Sequence, residues 1–227
     1  MIPTLQALLS AHPVFQTLPE TQLAEFAGLA RKRTYQAGEF LCLHGDLWPY
    51  LFLVAAGLIE IRKESPEGRS LLVASLRPGE LFWGVTFFNE QAGMPVMLAA
   101  NQDSQVYLWS RQQCLPFILQ NGAFSWQLTC LMAQRMLLVS DIVEGLAFQP
   151  VANRLARLLL EEYPTNLVTA GRHMTLEEMA ARIGTTREMV CRVLQRFANQ
   201  DLIEITRTEF TFKDQEKLAQ LARKDSA

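Results

Sequence analysis

The sequence predicts an α+β protein: an antiparallel β sandwich or roll first, then one long helix, then a helix-turn-helix closed by a β-hairpin. Three observations carry that prediction. Turn-forming clusters recur about every ten residues from Thr34 to Ser110, which fits short antiparallel strands rather than alternating β and α units. No proline interrupts Gly122 to Gln149. From Met174 to Phe197 two short apolar repeats of helical period meet at Gly184.

In chain order, Leu5, Leu8 and Leu9, then Leu23, Phe26 and Leu29, stand at helical spacings, so residues 1–30 read as helices. The punctuation that follows falls at Gln36-Ala37-Gly38, His44-Gly45-Asp46, Ala56-Gly57, Pro66-Glu67-Gly68 and Pro78-Gly79. Leu58 to Arg62 and Leu71 to Ala74 flank Pro66-Glu67-Gly68 as a hairpin. The proline-free stretch then reads as one helix of about 25 residues. Phe124, Leu128, Leu131, Leu138 and Ile142 trace a near-heptad seam interrupted by Arg135. Met132, Met136, Val139 and Val143 give the same helix a second apolar face. A helix apolar on two sides must be covered on two sides. The economical arrangement gives one face to the β region and the other to a second copy of the chain, with the near-heptad seam as the expected dimer contact.

Thr175 with Glu178 is a capping-box start, and Leu176, Met179, Ala180 and Ile183 form one buried helical face. Gly184 stands where that helix must stop, because glycine takes positive φ at little cost. Thr185 or Thr186 then caps a second helix buried through Val190, Val193, Leu194 and Phe197. Its opposite face carries Arg187, Glu188, Cys191, Arg192 and Gln195. Arginine can donate twice to guanine O6 and N7, and glutamate can accept from cytosine N4, so this face suits a DNA major groove. The bland alternative is a solvated face, with Glu188 the far half of a capping box. After Gln200-Asp201, LIEITRTEFTF alternates around Thr206-Arg207-Thr208, a hairpin with a basic tip that reads as the wing of a winged helix.

The 227 residues suffice for one large domain or two modest ones, and 49% hydrophobic with 19% charged residues is ordinary for a globular chain. The net charge of −2 would by itself argue against nucleic acid. Residues 1–149 hold 9 Lys+Arg and 12 Asp+Glu, whereas residues 150–227 hold 12 and 11. Arg182, Arg187, Arg192, Arg196 and Arg207 all fall within the two helices and the wing, and local placement makes an electrostatic footprint. The first basic residue is Arg31, so no secretory signal is expected. Asn89, Glu90 and Gln91 break the apolar stretch Leu81 to Ala100, so no membrane helix is expected there. Cys42, Cys114, Cys130 and Cys191 form no close pair, which points to reduced thiols in a cytoplasmic protein.

The stretch TTREMVCRVLQRFANQDLIE resembles the DNA-binding helix and wing of the CRP/FNR superfamily of bacterial transcription regulators. Thr186, Arg187, Glu188, Val190 and Arg192 meet that family's Ser/Thr-Arg-Glu-x-Val-x-Arg pattern. MAQRMLLVSDIVEGLAFQPVANRLARLLL resembles the family's dimer helix and the helix after it. The resemblance implies a cyclic-nucleotide-binding-like β-roll that senses an effector over residues 1–120, a dimerisation helix over 121–149, and a winged helix-turn-helix over 150–227. It implies a homodimer on palindromic double-stranded DNA with a TGTGA-like half-site, with RNA polymerase as a further partner of an activator. The DNA contacts are then Thr175, Thr186, Arg187, Glu188, Cys191, Arg192 and Arg207. The effector pocket would be drawn from Gly79, Glu80, Leu81, Phe82, Trp83, Met94, Val96, Arg135, Val139 and Ser140.

In the family's cAMP-binding members a Gly-Glu-Leu segment meets the ribose and a later Arg-Ser/Thr-Ala segment holds the cyclic phosphate. Gly79-Glu80-Leu81 matches the first, but no arginine or lysine lies between Arg77 and Arg111, and Met94-Pro95-Val96 stand where the second should fall. A buried phosphate without a cation is costly, so the expected effector is an unidentified neutral or apolar molecule or a redox signal, with Glu80 structural. An iron–sulfur cluster needs four gathered thiolates, and only Cys42 precedes residue 100. A carbon-monoxide-type haem site would want a histidine where Trp83 to Val85 stand; His12, His44 and His173 read as surface or turn residues, which leaves haem through another ligand open. No metal site is expected. Cys191 is small enough to sit beside DNA, and its oxidation to a sulfinate would place a negative group against phosphates. The sequence offers no nucleophile with a base at credible spacing, so an enzyme is not expected; the alternatives are a haem- or cAMP-dependent member of the same family, or a β-roll interaction module with an incidental helix pair.

Overall fold

Tyr50–Ala56 is buried along nearly its whole length, and the alternation of its side chains organises the N-terminal part of the chain. Leu51, Leu53 and Ala55 face a cluster shared with helices, while Phe52 and Val54 face a second sheet. A strand apolar on both faces has to be covered on both.

The computed structural model describes residues 3–163, 169–206 and 208–223, and the chain divides into two units. The first comprises Met1–Lys63 and Val73–Leu138; the second comprises Glu64–Leu72 and Val139–Ala227. The N-terminal helices are α1 (Leu5–Ala11) and α2 (Glu20–Gly28). Eight strands follow: β1 (Arg31–Tyr35), β2 (Phe40–Cys42), β3 (Tyr50–Ala56), β4 (Ile59–Glu64), β5 (Ser70–Leu76), β6 (Leu81–Trp83), β7 (Met97–Ala100) and β8 (Ser104–Ser110). Then come α3 (Arg111–Gln120) and the long α4 (Gly122–Phe148).

The strands form two sheets of order β1-β8-β3-β6 and β2-β7-β4-β5, joined by antiparallel pairs such as β3–β8 and β4–β7. Phe52, Val54, Ile59, Ile61, Leu98 and Val106 fill the space between the sheets. On the other face of the first sheet, Phe15, Phe26, Phe117 and Phe124 pack against Trp109 and Leu51. Phe26 stacks on Trp109 at 4.8 Å between ring centres, and the indole N–H donates to the Phe26 carbonyl at 2.7 Å. That bond satisfies the one polar atom of a fully buried tryptophan, so the ring contributes its whole apolar area.

The second unit holds α5 (Val151–Glu162), β9 (Thr169–Gly171), α6 (Leu176–Ile183), α7 (Arg187–Asn199), β10 (Ile203–Ile205), β11 (Glu209–Phe212) and α8 (Gln215–Arg223). Its sheet has the order β10-β11-β9, so the expected hairpin gains a third strand contributed from before α6. The capping box is present in full: the Thr175 hydroxyl accepts from Glu178 N–H at 3.1 Å, and the Glu178 carboxylate accepts from Thr175 N–H at 2.7 Å. Gly184 ends α6 in the left-handed region at φ 63°. Of the two candidate caps for α7 it is Thr186 that serves, accepting from Met189 N–H at 3.3 Å. Met179, Ala180 and Ile183 of α6 then meet Val190, Val193, Leu194 and Phe197 of α7 in one core with Leu155 and Leu159 of α5.

The end of α4 is tied to this core through Arg154. Its Nε donates to the Ile183 carbonyl at 2.9 Å, and Nη1 donates to the carbonyls of Gly145 at 3.0 Å and Gln149 at 2.5 Å. A Cβ added to Gly184 would lie 2.4 Å from a methyl of Leu146, so that leucine is seated on the turn between α6 and α7. Gly184→Ala should therefore destabilise the second unit by about 1–2 kcal/mol, the cost of an L-residue in the left-handed region. The check is a drop in urea midpoint followed by circular dichroism; an unchanged midpoint would mean the turn relaxes freely.

Candidate nucleic-acid interface

The core fixes which side of α7 is left outward. Val190, Val193, Leu194 and Phe197 are buried, and Arg187, Glu188, Cys191, Arg192, Gln195 and Arg196 are exposed. The polar face is thus a consequence of the 3.6-residue period, anchored at its start by the Thr186 cap. The Glu188 carboxyl lies below the usual carboxylate range, because its own backbone N–H and the Thr186 hydroxyl donate to it. It therefore remains a pure acceptor at neutral pH, the form that a cytosine amino group requires.

Arg187 meets Glu177, the second residue of α6, with Nε 2.9 Å from Oε1. The two side chains are 60% and 65% exposed, so the pair adds at most about 1 kcal/mol to stability. Both belong to an open cleft of about 410 Å³ lined also by Arg172, His173, Met174, Thr175 and Leu176. Arg172 donates from Nε to the Met174 carbonyl at 3.1 Å, and its guanidinium lies 5.8 Å from the centre of the Phe210 ring on β11. His173 packs against the Tyr163 ring at 4.6 Å and lies 3.7 Å from Glu162, which also accepts from Arg182 at 2.5 Å. Thr175, exposed at the mouth of the cleft, and Thr186 are brought near Arg187 as expected. Arg172, His173 and Glu177 were not among the expected contacts; no periodic signal marks them, since strand pairing and the α6–α7 turn assemble the cleft. The wing turn is closed by Thr206, whose hydroxyl accepts from Glu209 N–H at 3.0 Å. Arg207 lies outside the described residues.

Among the expected effector residues, Glu80 is exposed and accepts from Arg77 N–H at 2.5 Å, which closes the turn where Gly79 adopts φ 90°. Leu81, Phe82 and Trp83 form the buried strand β6. Arg135 reaches them from α4: it donates to the Leu81 carbonyl, and its guanidinium lies 5.0 Å from the Phe82 ring centre and 6.0 Å from that of Trp83. Burial pulls the Arg135 pKa down, opposed by the Glu80 charge, and among the described residues its buried Nε has no hydrogen-bond partner. Met94 is buried against the backbone of Gly84, whose added Cβ would lie 2.1 Å from the Met94 sulfur. Val96 is half-buried, and Val139 and Ser140 are exposed residues of the second unit.

The expected dimer seam is redistributed. Phe124 and Leu128 are buried in the core of the first unit, with Leu131 packed against it, so they have no surface left for a second copy. Leu138 is exposed and Ile142 half-buried. Exposed instead are Met132, Met136, Val139, Val143 and Leu146, spaced alternately four and three residues apart, which is an a/d heptad. The seam is thus buried at its start and exposed at Leu138, whereas the second face is exposed along its whole length. Burial pushes the thiols of Cys42 and Cys114 up to about 12, whereas Cys191 is exposed. Among the described residues no group of His, Cys, Asp and Glu is placed to hold a metal ion, and no helix is long and apolar enough to cross a membrane.

Comparison with known proteins matches residues 153–221 to the Crp-like helix-turn-helix domain and residues 32–121 to the cyclic nucleotide-binding domain. The cyclic AMP receptor protein of Thermus thermophilus is 28% identical over 195 residues, 85% of this chain and 88% of that protein. The CRP-like cAMP-activated global transcriptional regulator of Mycobacterium tuberculosis is 25% identical over 224 residues, covering 95% and 99%. A solved crp/fnr-family structure from Eubacterium rectale superposes with a TM-score of 0.78 at 22% identity, covering 93% of this chain and 98% of that one.

Proposed function

The chain belongs to the CRP/FNR superfamily of DNA-binding transcription regulators, and from that premise we propose a homodimer that reads an inverted repeat under the control of a signal other than a cyclic nucleotide. The observation that carries the reading is the outward face of α7, where Arg187, Glu188 and Arg192 stand exposed over a core that takes Val190, Val193, Leu194 and Phe197. Arg187 and Arg192 are the guanine donors and Glu188 the cytosine acceptor. Thr175 and Arg172, which line the cleft beside Arg187, are the phosphate contacts in this reading, with Cys191 as a small neighbour that permits close approach. The half-site is a TGTGA-like element, repeated about one or two helical turns away to match the two-fold symmetry of the dimer.

Dimerisation uses the exposed heptad Met132, Met136, Val139, Val143 and Leu146 on α4. An apolar stripe of that length is not left in water by a stable monomer, and a second copy offers the same stripe in return.

The relatives from Thermus and Mycobacterium are described as a cyclic AMP receptor and a cAMP-activated regulator. The corresponding residues here do not fit that ligand. The Met94 thioether fills the space over Gly84, and Phe82 and Trp83 are covered by Arg135. Arg135 donates from a terminal nitrogen to the Leu81 carbonyl, lies against the two ring faces and keeps its Nε buried, and no Lys or Arg stands between Arg77 and Arg111. A phosphate there would lose its hydration without a free partner. Whatever the signal, it acts by binding the DNA-competent arrangement better than the other.

Three outcomes check this reading. Arg192→Ala should cost about 1–3 kcal/mol of specific affinity and relax preference at a single G·C pair; weakening on all duplexes alike would make Arg192 a phosphate contact. Val139→Glu should convert the dimer to monomer in sedimentation at micromolar concentration and abolish binding to the full repeat; an intact dimer would place the interface elsewhere. Titration calorimetry with cAMP should give no saturable heat at micromolar concentration, and a saturable signal would overturn the exclusion of cyclic nucleotides.

A further inference from the structure

We infer that Glu177 sets the specificity of DNA reading: its carboxylate holds Arg187 through Nε, so that the two terminal guanidinium nitrogens are presented as a bidentate donor to one guanine. The inference rests on Arg187 as a base reader and deepens that assignment.

The 2.9 Å contact joins the first turn of α6 to the first residue of α7 across the Gly184 turn. It is not needed as a brace. Both partners are more than half exposed, and the first turn of α6 is already satisfied by the Thr175–Glu178 box. Nor does a carboxylate in this cleft assist general attraction to DNA. It shares the cleft with the Arg172 guanidinium and the Thr175 hydroxyl, which suit a phosphate, and it repels that phosphate.

What the carboxylate can supply is orientation. Guanidinium is a planar fork with five donors in fixed directions. With Nε taken, the side-on edge that would grip a phosphate is blocked, and the end-on pair of terminal nitrogens is left. That pair matches guanine O6 and N7. A side chain already held in place also loses less rotamer freedom when it meets the base. Glu177 therefore exchanges non-specific attraction for discrimination, and the two effects carry opposite signs.

The experiment uses the full chain and a duplex selected from a random pool by the wild-type protein. Affinity for that site, for the site with each G·C pair changed in turn, and for an unrelated duplex is measured for wild type, Glu177→Gln, Arg187→Ala and the double variant across a salt series. Arg187→Ala should lose preference at one G·C pair. Glu177→Gln should weaken the same preference about five- to tenfold, within the discrimination a bidentate contact supplies. It should bind the unrelated duplex about two- to threefold more tightly and steepen the salt dependence by up to about 0.9, one further phosphate neutralised. In the Arg187→Ala background Glu177→Gln should change no base preference. Glu177→Ala, which leaves no amide donor behind, must act in the same directions. An undiminished preference in Glu177→Gln, or an equal loss on specific and unrelated DNA, overturns the role of Glu177 while Arg187 still reads. Full preference in Arg187→Ala overturns the reading of Arg187 itself.

Discussion

The DNA-binding unit hangs on one guanidinium. Arg154 collects carbonyls from the end of α4, from Gln149 beyond it, and from the last residue of α6. The ends of helices leave carbonyls without intrahelical partners and carry the negative pole of the helix dipole, so a cation placed among them answers both. Burial pushes the Arg154 pKa down, yet an arginine stays charged where a lysine would be far closer to losing its proton. The five donors of the fork stand in fixed directions, and Nε and Nη1 between them reach the three carbonyls. Because Ile183 is the last residue before the Gly184 turn, this one side chain ties the end of α6 to the end of α4, while the apolar core decides which side of α7 faces outward.

Physical range explains what the sequence reveals and what it conceals. The Thr175–Glu178 box, the left-handed Gly184 and the spacing from Val190 to Phe197 are local, each settled within a turn or two of chain, and they can be read directly. Strand β9 has three residues and no period of its own; it exists because β11 offers it an edge much later in the chain. Glu177 and Arg187 are ten positions apart and look like two unrelated solvated charges until the turn folds them together. Arg154 carries no pattern at all. Its role appears only when the helix ends it joins are in place.

Helix α4 shows a different limit. Its period makes both apolar faces visible, but periodicity does not name the neighbour of either. The aromatic at position 124 decides the matter physically. Phe124 fits among Phe15, Phe26 and Leu51, and once it and Leu128 are consumed there, the slimmer stripe of methionines and valines is the face that remains. Arg135, which looks like an interruption of the seam, is instead the residue that turns from α4 toward β6. The expected effector region was legible as an absence of cations between Arg77 and Arg111 and as a run of apolar side chains in their place, but not in the contact by which Met94 closes it. That closure depends on Met94 bending over Gly84, a contact between a flexible thioether and a bare backbone that no spacing rule encodes.

The placement of the indoles has an optical consequence. Trp48, Trp83, Trp109 and Trp126 are the chain's four tryptophans, and all belong to the first unit. Tryptophan emission therefore has no indole in the wing or the reading helix to draw on, and reports the first unit. Within it the four indoles differ: Trp109 is sealed against Phe26, Trp126 is 65% exposed, and Trp83 stands beside the Arg135 cation. A cation near an indole shifts its emission energy, so anything that draws Arg135 away from β6 recolours one lamp among four, and the protein carries its own label on the contact between α4 and β6.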